Sequence, residues 1–222
     1  MNTNARDYIL DKLRAAPRRN VPARPELPPP PEPPPDRSAH VASFKKNLEE
    51  VGGRLYQVGD RESFYRTLEE IFRENEVRRA MATTDAVLAP LDLPDWGRRV
   101  GMEVRTPRDF RDPAAFKDAV FLEVDAGVTG ADFGIASSGT LVLAHDREQT
   151  RLVSLAPVLH VAVLPAERLT DDHDLIVDRL YGSGGRPSQV CLITGPSSTA
   201  DIQATPFTGM HGPRRLVVIL LV

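Results

Sequence analysis

Four short apolar runs limit what this chain can fold into more than any other feature: Leu141 to Ala144, Val158 to Leu164, Val190 to Thr194 and Leu216 to Val222. None alternates cleanly between apolar and polar residues, and strands of that kind are buried on both faces, in a sheet covered by helices on each side. Helical patterns precede and separate them. Val41, Phe44, Leu48 and Val51 form a stripe stopped by Gly52 and Gly53, which supply a left-handed cap and a turn. A strand over 54–58 follows, then a helix with Asp60 as its N-cap and Phe64, Leu68, Ile71 and Phe72 on its buried face. A short strand at 79–82, a short helix containing Trp96 and a brief strand through 102–105 continue the pattern. A later helix takes Thr170 as its cap, with Asp171 and Asp172 in the first turn and Leu175, Ile176 and Leu180 apolar. Helices and strands that alternate in this way predict an α/β fold with an open, mainly parallel, Rossmann-like sheet. In such sheets ligands bind at the carboxyl ends of the strands.

Proline divides the chain. Ten of its 20 prolines lie between Pro17 and Pro35, where fixed φ and missing N–H groups forbid a helix interior or a central strand and favour extended polyproline II. Ahead of this stiff spacer, Ala5, Tyr8, Ile9, Leu13 and Ala16 fall on one helical face. The expected organisation is an amphipathic helix and proline-rich linker over 1–37, followed by an α/β domain over 38–222. The arm reads either as a terminus that docks on its own domain or as a device that delivers a helix to a neighbouring subunit.

Charge and cysteine content narrow the function classes. With 28 Lys and Arg against 31 Asp and Glu in 222 residues, the chain lacks the basic balance of a nucleic-acid binder. Cys191 is the single cysteine, so there is no internal disulfide and no thiolate set for an iron–sulfur cluster or a cysteine-built zinc site. His145, His160, His173 and His211 show no ligand spacing, and no metal site is expected. His160 sits inside an apolar run and reads as a core histidine. The longest apolar run, 216–222, is far short of the roughly 20 residues needed to cross a bilayer. The first residues lead into no apolar signal core, which points to the cytoplasm.

Three loops carry chemistry. Gly134-Ile135-Ala136-Ser137-Ser138-Gly139-Thr140 offers small residues, hydroxyls and peptide N–H groups that suit an anionic or polyhydroxyl ligand; the same spacing equally fits a tight hairpin. Gly195-Pro196-Ser197-Ser198-Thr199-Ala200-Asp201-Ile202 can turn and open a helix whose free N–H groups attract an anion. In it Asp201 could serve as a base, orient a ligand hydroxyl or simply favour the first helical turn. Gly209-Met210-His211-Gly212-Pro213 presents His211 between glycines, as a proton exchanger or as a hydrogen-bonded turn histidine. Neither GxGxxG nor GxxxxGK[ST] spacing occurs, so classical dinucleotide and P-loop chemistry have no support.

Taken in order, Ile135 to Leu143, Ser154-Leu155-Ala156-Pro157, Gly195 to Ile202 and Gly209 to Pro213 resemble the signature of the lactate utilization protein C family, which carries the LUD domain. The resemblance covers about residues 38–222. It implies a fold like that of the ribose-phosphate isomerase, glucosamine-phosphate deaminase and CoA-transferase superfamily. It also implies a part in oxidising L-lactate to pyruvate, as one of three cytosolic components, with the iron–sulfur clusters on the other two and no cofactor on this chain. Ser138, Gly139 and Thr140 match one family turn, Gly195, Ser197, Thr199 and Asp201 a second, and His211, Gly212 and Pro213 a third. Many members carry glutamate where this chain has Ser137, and an acid where it has Gln203, so Asp201 is the only acid left in the motif. The expectation is an accessory or ligand-binding subunit, with Ser137, Ser138, Gly139, Thr140, Gly195, Ser197, Ser198, Thr199 and Gly212 around a small anion and Asp201 and His211 at its edge. The alternatives are a stand-alone isomerase or acyl-transferase that uses Asp201 and His211, and a scaffold that docks through the N-terminal helix.

Overall fold

The computed structural model describes residues 5–17, 36–182, 187–200, 206–209 and 211–222. The chain divides into two units, Met1–Glu32 and Pro33–Val222. In the first, helix α1 (Ala5–Ala15) leaves Tyr8, Ile9 and Leu13 exposed. The proline tract over 18–35 lies outside the described residues.

The second unit opens with helix α2 (Arg37–Glu50), whose N-cap Asp36 accepts the Ala39 N–H at 2.8 Å. Strand β1 (Arg54–Val58) follows the Gly52-Gly53 turn, where both N–H groups return to α2 carbonyls. Helix α3 (Arg61–Glu74) begins in a capping box: Asp60 accepts the Ser63 N–H at 2.7 Å, and Ser63 Oγ accepts the Asp60 N–H at 3.2 Å. A cap of this kind stabilises a helix by about 1 kcal/mol. Next come β2 (Arg79–Ala82), α4 (Leu93–Val100), β3 (Glu103–Arg105), α5 (Pro113–Leu122) and β4 (Ala126–Gly130). Strands β5 (Phe133–Ile135) and β6 (Thr140–His145), helix α6 (Arg151–Leu155), and strands β7 (Leu159–Pro165) and β8 (Leu169–Thr170) follow. Helix α7 (His173–Tyr181) and strands β9 (Gln189–Ile193), β10 (Ser198–Ala200), β11 (Pro206–Thr208) and β12 (Arg215–Leu221) complete the chain.

The main sheet has six strands, all paired in parallel, in the order β1-β12-β7-β4-β2-β3. Alternation along β12 sends Val217 and Ile219 to one face and Leu216, Val218 and Leu220 to the other. The first face packs with Val161, Val163 and Val128 against Phe64, Leu68, Ile71 and Phe72 of α3 and Trp96 of α4. The second packs with Ala162 and Leu164 against Phe44 and Leu48 of α2 and Leu141 and Leu143 of β6. This is the covered parallel sheet that the apolar runs predict.

Two of those runs lie elsewhere. Residues 141–144 and 190–193 belong to β6 and β9, in a second sheet of order β8-β5-β6-β9, where β6 is antiparallel to both neighbours. β6 is buried because it lies over the main sheet, whereas β9 is an edge strand with Leu192 exposed. At α7 the N-cap is Asp172, which accepts the Leu175 N–H at 2.9 Å, while Thr170 Oγ1 accepts the Asp172 N–H at 3.0 Å.

Two positions expose the tolerances of the second face. Helix α6 lies so close to β4 that a Cβ on Gly127 would stand 1.9 Å from the Val153 carbonyl oxygen. Beside it His160 is wholly buried; its Nε2 pairs with Thr129 Oγ1 at 2.8 Å, and its Nδ1 has no partner. Burial, with His145 nearby, pushes His160 down to about 3.

Replacing Gly127 with Ala should therefore force α6 off the sheet and destabilise the domain by about 1–3 kcal/mol, read as a lower urea midpoint with unchanged slope. His160 sets an acid limit. The unfolded histidine takes a proton below about 6.5, which the folded chain refuses until about 3. Its stabilising contribution is whole above pH 6.5 and is lost as pH falls through that window. Urea titrations at pH 7 and pH 5 should differ by roughly 2 kcal/mol on this account, and His160→Gln should flatten the dependence.

Candidate functional site

The first of the three turns is a hairpin. β5 and β6 pair antiparallel with Ile135 opposite Thr140, and Gly139 takes φ of +64° at the tip. A Cβ there would lie 2.4 Å from the Leu48 backbone nitrogen, so glycine both permits the turn and lets it seat on α2. Asn47 Nδ2 and Ser43 Oγ of α2 both donate to the Ala136 carbonyl, at 2.8 and 3.1 Å. The hydroxyls form a chain, with Ser138 Oγ 2.7 Å from Thr140 Oγ1, which is 2.8 Å from Thr194 Oγ1. The Ser137 N–H donates to Asp171 Oδ1 at 2.7 Å, while the other oxygen of Asp171 lies 3.9 Å from His40 Nε2. The anion that this turn holds is thus a carboxylate of the chain itself.

The second and third turns meet each other. Ser197 N–H donates to the Pro213 carbonyl, and Gly209 N–H to the Ser197 carbonyl, both at 2.8 Å. Gly212 abuts Ser197, and Gly195 seats against Val51 at the end of α2. No helix starts at 197–199. Ser198 and Thr199 instead lie in β10, which pairs antiparallel with β11. His211 is exposed in its turn, and Asp201 and Gln203 lie outside the described residues.

All three turns therefore gather at the carboxyl end of α2, near the amino ends of β1 and β12, opposite the sheet edge where the fold class predicts ligands. A cavity of about 400 Å³ lies at this amino edge, lined by Gly52, Arg54, Glu74, Asn75, Arg214 and Arg215. Arg54 pairs with Glu74 at 3.6 Å, and Arg215 donates to Asn75 Oδ1 at 2.7 Å. Arg214 has no ion pair among the described residues. Three guanidinium groups against one carboxylate make the cavity electropositive.

The carboxyl edge holds acids that the sequence reading missed. From β2 the chain moves outward to β3, and from β4 it moves the other way to β7, so the crevice between β2 and β4 is the topological switch point. Asp85 closes its floor, accepting the N–H groups of Val87, Leu88 and Gly130 and, at 2.6 Å, the Thr83 hydroxyl. Thr83, Thr84, Asp92, Thr106 and Arg108 line a cavity of about 300 Å³ beside it. At its mouth Glu148 accepts from Thr84 and from Arg108, and these two bonds hold its carboxyl below the usual range. Asp132, beyond β4, accepts the Ala144 N–H at 2.7 Å. Burial pushes its carboxyl up, against the pull of that hydrogen bond and of Arg168. The signal was present in the sequence, since Asp85 and Asp132 follow the ends of β2 and β4 within three residues.

Residues 41–221 match the profile of the LUD domain. The chain is 28% identical to lactate utilization protein C of Deinococcus radiodurans, over 96% of this chain and 94% of that one. It is 30% identical to lactate utilization protein C of Oceanobacillus iheyensis, over 59% of this chain and 52% of the relative. With the Bacillus subtilis protein of the same name the identity is 34%, over 45% and 43%. In these last two the match spans about half the length of the relative or less. The crystal structure of a DUF162 family protein from Deinococcus radiodurans superposes with a TM-score of 0.62 and 23% identity, covering 85% of this chain and all of the other. That likeness is one of fold. With the profile running from within α2 to the end of β12, the chain belongs to the LUD domain family.

Proposed function

We propose that this chain acts in lactate utilization as a subunit that binds a small organic anion and leaves electron transfer to iron–sulfur partner proteins. The observation that carries the reading is the Deinococcus relative, named lactate utilization protein C and matched along nearly the whole of both chains. The chemistry of the chain supports the division of labour. A cluster needs several thiolates, and Cys191 supplies one thiol, pushed up by burial and so kept protonated. Among the described residues no helix is long and apolar enough to cross a membrane.

The amino-edge turns suit a binding subunit better than an independent catalyst. Ser138 and Thr140 spend their hydroxyls on each other and on Thr194, while the neighbouring arginines leave positive charge for an anion. A docking role for α1 has its own support, because Tyr8, Ile9 and Leu13 form an exposed apolar stripe; larger exposed apolar surfaces mark interaction sites.

Deleting the gene in its host should abolish growth on L-lactate as sole carbon source and spare growth on glucose, with recovery on complementation. Unimpaired growth on L-lactate would overturn the reading. Complementation with a chain lacking residues 1–32, which keeps the Asp36 cap of α2, should lose co-purification with the partner proteins, and retained co-purification would remove α1 from docking.

A further inference from the structure

A second cavity at the carboxyl edge is absent from every motif of the sequence. It has a volume of about 410 Å³ and is lined by Asp132, Phe133, Arg168, Leu175, Arg179 and Leu180, together with Glu167. That size falls in the range of small-molecule sites, roughly 300–1,000 Å³. Its charged groups come from separate elements: Asp132 follows β4, Arg168 follows β7, and Arg179 lies in the last turn of α7. Arg168 is anchored by donating to the Ala131 carbonyl at 3.2 Å. Arg179 has no ion pair among the described residues, and Glu167 is paired with Arg37 at 3.2 Å. One oxygen of Asp132 holds the Ala144 N–H, and the other has no hydrogen-bond partner among the described residues. The site thus offers two guanidinium groups, a carboxylate oxygen without a donor and an apolar wall.

We propose that this cavity binds a small 2-hydroxy acid, with Arg168 and Arg179 on its carboxylate, the free oxygen of Asp132 on its hydroxyl, and Phe133, Leu175 and Leu180 around its alkyl end. Planar guanidinium forks match a carboxylate in geometry as well as charge. A hydroxyl donor satisfies Asp132 without bringing a second negative charge to it. Burial has already raised the proton affinity of this carboxyl. The choice of lactate as the acid rests on the proposed role in lactate utilization; the carboxylate-plus-hydroxyl chemistry rests on the cavity.

Calorimetric titration of the full chain with L-lactate, propionate, pyruvate and inorganic phosphate tests the assignment. L-lactate should bind at least about tenfold more tightly than propionate, which lacks the hydroxyl. Arg179→Gln, on an exposed helix face, should weaken L-lactate by about tenfold or more. Asp132→Asn keeps an acceptor for Ala144 and turns an amide N–H₂ to the cavity, so the preference for lactate over propionate should vanish and pyruvate should gain. Absence of L-lactate binding overturns the proposal, as does an equal response to lactate, propionate and phosphate, or unchanged affinity in Arg179→Gln. The two readings fail separately. Loss of growth on L-lactate without lactate binding leaves the pathway role and removes this site, whereas binding without a growth defect does the reverse.

Discussion

Burial of β7 and β12 on both faces is the constraint from which the rest of the structure follows. Every residue of β7 is buried, and so are the five central residues of β12. Strands so placed require an apolar layer above and another below, and here they pair in parallel with each other and with their neighbours β1 and β4. One layer is purely helical, with the aromatic residues of α3 packed against Trp96 of α4. The other is mixed, because α2 covers only part of the face and β6 covers more of it. The polar intruder on that face, His160, is tolerated as a neutral ring bonded to Thr129.

Covering both faces leaves a parallel sheet only its two rims for binding, and the rims here differ in kind. At the amino rim the three small-residue turns bind one another and α2. The hydroxyls of Ser138, Thr140 and Thr194 and the N–H groups of Ser137, Ser197 and Gly209 are answered within the chain, and the positive charge comes from arginines at the starts of strands. At the carboxyl rim carboxylates sit just past the strand ends, braced by backbone N–H groups, with arginines arriving from other elements. A helix end carries partial charge as well. The carboxyl end of α2 points negative charge at the amino-rim turns, so an anion there depends on Arg54, Arg214 and Arg215.

The elements legible in the sequence were those whose local chemistry and burial agree. Asp60 predicts a helix start and makes a capping box, and Phe64, Leu68, Ile71 and Phe72 predict a buried face and form one. Runs 158–164 and 216–222 predict doubly buried strands and are the centre of the sheet. Runs 141–144 and 190–194 look the same in sequence, yet they pair antiparallel in another sheet and the second is only partly buried, because an apolar run names neither its strand partners nor the layer that would cover it. The turn at 197–199 misled for a related reason. Serine and threonine satisfy N–H groups at helix starts, but threonine also suits strands, and here the Ser197 backbone bonds to Pro213 and Gly209 instead.

The chemistry was harder to read than the fold, since a motif rich in small polar residues does not reveal where its hydrogen bonds go. The Ser137 to Thr140 turn has every attribute of an anion cradle, and in the folded chain the cradle is filled by Asp171, brought from the residue before the α7 cap. The glycine that looked like room for a ligand is room for the backbone of α2. Conversely, Asp132 stands in an unremarked Gly-Ala-Asp-Phe sequence, and its significance comes from distant residues, Arg168 and Arg179, placed beside it by two separate chain crossings. A motif keeps its residue types whether its donors face a ligand or the protein. Only the tertiary structure shows which donors and acceptors remain unspent, and on the carboxyl rim one oxygen of Asp132 has no hydrogen-bond partner among the described residues.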